Sequence, residues 1–355
     1  MPSANQALAD DLTDHRLALL RYEAGTVSRL VQAYEDALRS INRDLVRLAK
    51  RAENKGPDDG WTDYEQRRLL ALREQVTREL QDLLPVLEAR LQTDLTGAAE
   101  VEAEVVRRLI EANSPDNATV LSLNRPVLEA MVDQPIGGKV WTDRLAVDLL
   151  QEHDALQRSL AESLALGSSM DDAARALRSG TAIIETYKGR LVSIARTEIQ
   201  RVANTAALES YKRNADVIKG VVWLATLDSR TCLVCAPRHM QTYSFAELDE
   251  AGRPPLHPRC RCFISPLTKS WSELGLPVSD RNRFNGQPPQ EMDFEQWLRR
   301  QPESTQRDVL GATRWTLWKQ NRLKFAQFAS DNRVLTLEQL QDRYGVSSSA
   351  PESPG

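Results

Sequence analysis

All four cysteines of this 355-residue chain, Cys232, Cys235, Cys260 and Cys262, fall in one short segment. That segment, TCLVCAPRHMQTYSFAELDEAGRPPLHPRCRCF, also holds His239 and His257, two of the four histidines. Thiols and imidazoles ligate soft or borderline metals, pair as disulfides, or serve as nucleophile and base. Cys232-x-x-Cys235 has the spacing of a metal knuckle, in which two sulfurs reach one ion and amides of the turn bond to them. Downstream, HPRCRC supplies His257, Cys260 and Cys262, so five donors are available for the four places around tetrahedral Zn²⁺. His-x-x-Cys repeats the reach of Cys-x-x-Cys. Cys260 is therefore the expected fourth ligand, with Cys262 as the alternative. His239 reads as a surface histidine or a substitute ligand.

Rival chemistries have less support. Two disulfides would suit an oxidising compartment, but the N-terminus MPSANQALADDLTDHRLALL has acids where a secretion signal has a basic region and an apolar core. A reducing cytosol is expected, and there clustered cysteines more often hold metal. A thioredoxin-like pair lacks a surrounding βαβ pattern, and a catalytic Cys–His pair needs one exposed, activated thiolate. The expectation is a structural zinc site with a filled coordination shell, which supplies folding energy and no catalysis.

The elements around this segment are mostly helical. Residues 13–50 read as one long helix with Leu17, Leu20, Ala24, Val27, Val31, Tyr34, Leu38, Ile41, Leu45 and Leu48 as a heptad seam that needs a partner. After NKGPDDGW, Thr62 and Glu65 form a capping-box signature. A second helix follows, with an apolar stripe from Leu69 to Leu109 and Pro85 inside it, where a kink or a division is expected. SSMDDAARALRSG reads as a short helix closed by Gly180. A long helix is expected over 181–214, with Leu191, Ile194, Ala195, Ile199, Val202, Ala206 and Leu208 as its apolar face. Val221–Ala225 suit a strand. Short helices are expected at 293–300, 304–319 and 336–343.

The resulting fold class is mainly α with a small α+β segment. Its expected parts are a long helical hairpin arm (1–112), a central helical region (113–220) and a strand with the Cys/His cluster (221–268). Extended loops and short helices, basic and aromatic, follow (269–345), then a disordered tail (346–355). Charged residues at 27% and hydrophobic ones at 41% describe an ordinary globular composition, and no run is apolar enough to span a membrane. The net charge of -4 implies no whole-chain attraction to nucleic acid. There is no Gly-rich phosphate loop, nucleophile elbow or distinctive carboxylate pair, so the chain reads as a non-enzyme.

Three motifs in order resemble the phage head-morphogenesis family, the Mu F-like minor head proteins. ARTEIQRVANTAALESY resembles the family's helix, with Arg196, Thr197, Glu198 and Asn204 at matching positions. VVWLATLDSRTCLVC resembles its strand and first knuckle, with Trp223, Asp228, Thr231, Cys232 and Cys235. RPPLHPRCRC resembles its closing motif, with Pro255, His257, Pro258, Cys260, Arg261 and Cys262. The resemblance covers about residues 150–265. Where the family commonly carries a glycine after the second cysteine, this chain has Met240.

The resemblance implies a minor structural (capsid) protein of a tailed-phage head. Such a protein is present in few copies at the portal vertex or capsid interior and acts in head morphogenesis or DNA packaging and delivery. Implied partners are the portal protein, other head proteins and packaged DNA; self-association through the N-terminal helices is a further expectation. Expected locations are the virion and, during assembly, the host cytoplasm. The competing reading is a zinc-dependent nucleic-acid-binding protein or nuclease. Arg230, Arg253, Arg259 and Arg261 would meet phosphates, but residues 226–262 carry 5 Arg against 4 Asp/Glu, which leaves little net attraction.

Overall fold

A computed structural model describes residues 4–53, 63–114, 119–135, 139–165, 181–270, 272–274 and 292–346. NKGPDDGW with Thr62, SSMDDAARALRSG, and the tail from 347 lie outside the described residues. The chain is mostly helical with a small sheet region, as its patterning implies. In order come α1 (Ala4–Glu53), α2 (Asp63–Asn113), α3 (Arg125–Val132), α4 (Trp141–Ala165) and α5 (Thr181–Arg213). Then follow β1 (Ile218–Leu224), β2 (Thr242–Tyr243), α6 (Phe245–Ala251) and β3 (Phe263–Thr268). The last elements are α7 (Phe294–Arg299), α8 (Glu303–Leu310), α9 (Ala312–Lys319), β4 (Ala329–Ser330), β5 (Arg333–Val334) and α10 (Leu337–Tyr344).

Two compact units emerge; three of their four boundaries fall inside α1, α2 and α5, where no loop marks them, and the fourth falls at the first residue of α3. One unit takes residues 1–17, 99–125 and 200–355; the other takes 18–98 and 126–199. Among the described residues the second unit's long elements are all helices. Leu30, Leu87, Leu91, Leu95, Leu145 and Leu191 are fully shielded in it. Its buried charges are paired: Arg196 lies 3.1 Å from Glu23, Arg144 lies 2.5 Å from Glu198, and Arg29 lies 2.8 Å from Asp94.

The stripe on α1 differs from the expected seam by one residue over its first half. Leu17 is 52% exposed and Ala24 is exposed, while Leu12, Arg16, Leu19, Glu23, Thr26 and Leu30 face inward. The two stripes agree again at Tyr34 and Ile41. Polar residues on the buried face caused the shift, because a pattern read from apolar residues alone skips them. On α2 the expected stripe is buried from Val76 through Ala98. It then also moves by one, to Glu102, Val106 and Ile110, with Val101 left 52% exposed. Pro85 does not divide this helix.

In the first unit an antiparallel sheet runs in the order β2-β1-β3. β1 is buried at almost every position, so it reads as a continuous apolar run rather than an alternation. Gly220 lets β2 approach, since a Cβ there would sit 2.2 Å from the Tyr243 carbonyl oxygen. Leu12, Val106, Ile110 and Tyr211 share a core with β1 and β3. A second core gathers α7 to α10 around Trp318, Phe325 and Phe328. The helix expected over 304–319 is broken at Gly311, which adopts φ +74° and separates α8 from α9.

Candidate metal centre

The knuckle forms just after β1. The Cys235 and Ala236 amides donate to the Cys232 carbonyl at 3.1 and 2.9 Å, and the Cys235 amide also points at the Cys232 sulfur, 3.4 Å away. Leu233 and Ala236, inside and just after the knuckle, are buried in the second core. The turn is therefore gripped from its apolar side while its sulfurs face the other way. The second group of donors lies just before β3, whose pairing register Leu224↔Phe263 sets it beside the end of β1. Between the two groups, α6 is opened by a capping box of Ser244 and Glu247.

Five donors converge in two overlapping trios. Cys232, Cys235 and His257 form one and Cys235, Cys260 and Cys262 the other, with ligand atoms in each within 4.8 Å of one another. His257 Nε2 lies 3.1 Å from Cys232 Sγ and 3.3 Å from Cys235 Sγ, and Cys235 Sγ lies 3.8 Å from Cys260 Sγ. In a tetrahedral zinc site with bonds of about 2.3 Å to sulfur and 2.0 Å to nitrogen, ligand sulfurs sit about 3.8 Å apart, and sulfur and nitrogen about 3.5 Å. All four cysteines are free thiols. The His257 Nδ1 is 2.9 Å from the Pro258 carbonyl oxygen and must donate to it. In the neutral ring that a metal would bind, this fixes the tautomer whose Nε2 lone pair faces the sulfurs.

The electrostatics fit a cation as well. Hydrogen bonding from Cys235, then from His257, pulls the Cys232 thiol down to about 4 against the opposing effect of burial. Cys260 is held far below the usual thiol range by Cys235 and Cys262, and His257 is raised to about 11 by Cys232 and Cys260. Cys235 moves upward because it donates to Cys232 and Cys260. For Cys262, Cys235 pulls downward, but Cys260 and burial outweigh it and push the thiol up. A packed set of thiols shares its protons in this way; a divalent cation would let the remaining ligands ionise. The residues present therefore fit a soft or borderline divalent metal.

Residues carried by the motifs hold this centre in place. Arg261 grips Asp228 with two hydrogen bonds of 2.5 and 2.7 Å and so ties the closing motif to the turn before the first knuckle. The same carboxylate accepts from the Arg230 amide at 3.0 Å and from the Thr231 hydroxyl at 3.3 Å. Burial works against its ionisation, but Arg261, with the Arg230 amide and charge, together outweigh it and lower its pKa. Asn204, buried on α5, donates to the Cys262 carbonyl at 3.1 Å and to the Gln200 carbonyl at 2.8 Å, and accepts from Arg16 at 3.1 Å. Trp223 is fully buried on β1, with Arg238 over its ring at 5.0 Å. Arg196 and Glu198 lie on the part of α5 that belongs to the other unit, where they pair with Glu23 and Arg144.

His239 belongs to neither trio. Only 3% exposed, it accepts from the Ala225 amide at 3.0 Å and closes the end of β1. Met240, standing where the family commonly has glycine, adopts φ +68°. Its amide donates to the Trp223 carbonyl at 2.8 Å, which explains why the turn holds that conformation with a side chain present. The motif reading missed Arg16 and Glu102. Arg16 lies 3.6 Å from Glu102 and stacks over Phe263 at 5.0 Å, while His15 Nε2 is 2.9 Å from Glu102. Charged residues within helical sequence carry no signal of burial. The α6 cap was legible as S-x-x-E ahead of Leu248.

Residues 154–265, under half of the chain, match the family model described as Phage Mu protein F like protein. This is a phage head-morphogenesis family, and the match implies a function in phage head morphogenesis. The matched segment ends in β3, directly after the Cys/His cluster. No curated protein and no solved structure matches the chain. Among the described residues no helix is long and apolar enough to cross a membrane.

Proposed function

We propose that the protein is a minor structural component of a tailed-phage head, acting at the portal vertex or capsid interior in assembly or in DNA packaging and delivery, with one structural zinc as a staple. The observation that carries this reading is where the motif side chains go. Asp228, Arg261 and Asn204 are each used up in holding the Cys/His cluster together. A catalytic site would leave such groups turned toward a substrate. Cys232, Cys235, His257 and Cys260, or Cys262 in its place, would hold the zinc, which when bound cross-links the end of β1 to the start of β3. The partners of this reading are the portal protein and other head proteins.

The nuclease alternative needs a general base beside the metal. His239, the nearest extra histidine, is buried and already accepts the Ala225 amide, and Arg261 is neutralised by Asp228. The test is purification of heads together with metal analysis. Heads should contain the chain with about one zinc per copy, and Cys232→Ser should lower both folding yield and incorporation. Heads that form normally without the chain would overturn the assembly role. A well-folded Cys232→Ser protein that has lost a nuclease activity would overturn the structural one.

A further inference from the structure

The junction of Cys262 and Phe263, where the second group of donors runs into β3, is held at two points. The Cys262 carbonyl accepts from Asn204 at 3.1 Å, and the Phe263 ring lies against the Arg16 guanidinium, 5.0 Å from the ring centre. Arg16 also donates to Asn204 at 3.1 Å, so one residue of α1 touches both holds. Among the described residues that is its one hydrogen bond, since its Nε and Nη1 are buried and make none. A buried guanidinium with a single polar anchor and a ring to lie on takes its position from the knot. Its opposite charge comes from α2. Glu102 lies 3.6 Å from Arg16 and 2.9 Å from His15, the residue before it on α1.

Apolar contacts converge on the same place. Leu12, one turn before Arg16, and Val106 and Ile110, one and two turns after Glu102, share a core with Cys235, Cys260, Cys262 and Phe263. The start of α1 and the end of α2 therefore rest on the strand that the Cys/His cluster opens. Binding of a structural metal is folding free energy, because the ion joins loops that have little else to hold them. Loss of the ion would release the 257–262 loop. A shift of that loop would take one of two acceptors from Asn204 and move the ring from Arg16, leaving a buried charge short of partners. Linkage makes the effect reciprocal: whatever the ion contributes to the docking of α1, docked α1 returns as affinity for the ion.

Resting on the metal reading above, we infer that Arg16 is a positioning residue for the metal centre, and that metal loading and the docking of the first turns of α1 are one coupled event running through Arg16, Asn204 and Phe263. The test uses the full chain with Zn²⁺, its affinity read by competition with a chelating dye and the docking of α1 by hydrogen exchange. Arg16→Ala should bind zinc roughly 10-fold more weakly, the low end of what losing an outer contact costs a metal site. Arg16→Lys keeps the charge but has no planar fork to bond Asn204 while lying on Phe263, so it should lose most of the same affinity. Leu30→Ala, in the other unit, should lower stability and leave zinc affinity unchanged. Stripping zinc from wild type should speed exchange in 10–17 and 102–110 as well as in 257–262, and in Arg16→Lys the part of that response in 10–17 should shrink several-fold. Arg16 variants that bind zinc as tightly as wild type overturn the inference. So does wild-type exchange in 10–17 that ignores zinc, and so does an equal loss of affinity in Leu30→Ala, which would show only general destabilisation. If Arg16→Ala does not fold, Arg16→Lys and the wild-type exchange still decide. Wild-type protein that takes up no zinc would defeat the metal reading itself, an outcome distinct from a zinc-loaded protein whose α1 is indifferent to the metal.

Discussion

The Cys/His knot and the helical unit both bury polar and charged groups, and they do so by opposite means. In the knot, the donors and the Asp228–Arg261 clamp lie in two short runs, 228–235 and 257–262, and each residue type announces its chemistry. In the helical unit, partners come from helices far apart in sequence: Glu23 meets Arg196, and Arg144 meets Glu198. Chemistry that is local in sequence can be read from spacing alone. Pairing across helices cannot, because a buried arginine and an exposed one look the same in a string.

The two regions should break in different ways. The largest effect belongs to the knot. Cys235 is shared by both trios, so Cys235→Ser should abolish tight metal binding and make the protein resemble chelator-treated wild type. Structural zinc binding is worth on the order of 10 kcal/mol or more in small domains. Hydrogen exchange should then show lost protection through 218–268. Retention of one tightly held zinc by this variant would remove Cys235 from the centre.

In the helical unit the largest single loss should come from Arg144→Ala. It strips the fully buried Glu198 of its guanidinium, and breaking a buried pair from one side costs about 3–5 kcal/mol. Metal content should not change. A variant with unaltered denaturant midpoint would mean that the other contacts of Glu198 hold its charge without Arg144.

The shifted stripe on α1 gives a direct comparison. Leu30 is completely buried and Leu17 is 52% exposed, although the apolar pattern nominates Leu17 as a seam residue and passes over Leu30. Leu30→Ala should cost about 3 kcal/mol, and Leu17→Ala less than about 0.5 kcal/mol. The reverse order in urea unfolding would restore the seam that the sequence implies. Much else was legible. The predominance of helix, the long helix that became α5 with its buried face, and the five converging donors all follow from periodicity and residue type. Asp228–Arg261 and Asn204–Cys262 were legible only as motif positions, since nothing in a sequence states which groups will touch. The division into units inside continuous helices leaves no mark in composition.

His239 adds a pH dependence to the knot. Burial is the main cause of its pKa falling to about 4, with Asp293 offsetting part of the effect. In the unfolded chain a histidine takes up its proton near 6.5. Between about pH 6.5 and pH 4 the unfolded state therefore binds the extra proton, and stability falls as pH falls, by up to about 3 kcal/mol. His239→Gln keeps an acceptor for the Ala225 amide but has nothing to titrate. With zinc held in excess, the difference in stability between wild type and variant should shift against wild type across that window. A difference that stays constant with pH would show that His239 does not stay neutral in the fold.

The smallest effect is also the one that separates backbone from side chain. Met240 sits at φ +68°, a conformation that costs a residue with a Cβ about 1 kcal/mol and glycine almost nothing. Its side chain also packs against the core of the sheet unit, so Met240→Gly trades a relieved backbone for lost contacts, and the net change should be small. Met240→Ala loses nearly the same contacts but keeps the Cβ. Gly should therefore be the more stable of the two variants by about 1 kcal/mol, the reverse of their order in a helix. Urea midpoints of the two proteins, each saturated with zinc, measure this difference. If alanine equals or exceeds glycine, the turn after Trp223 carries no such strain, and the glycine common in the family at this position needs another cause.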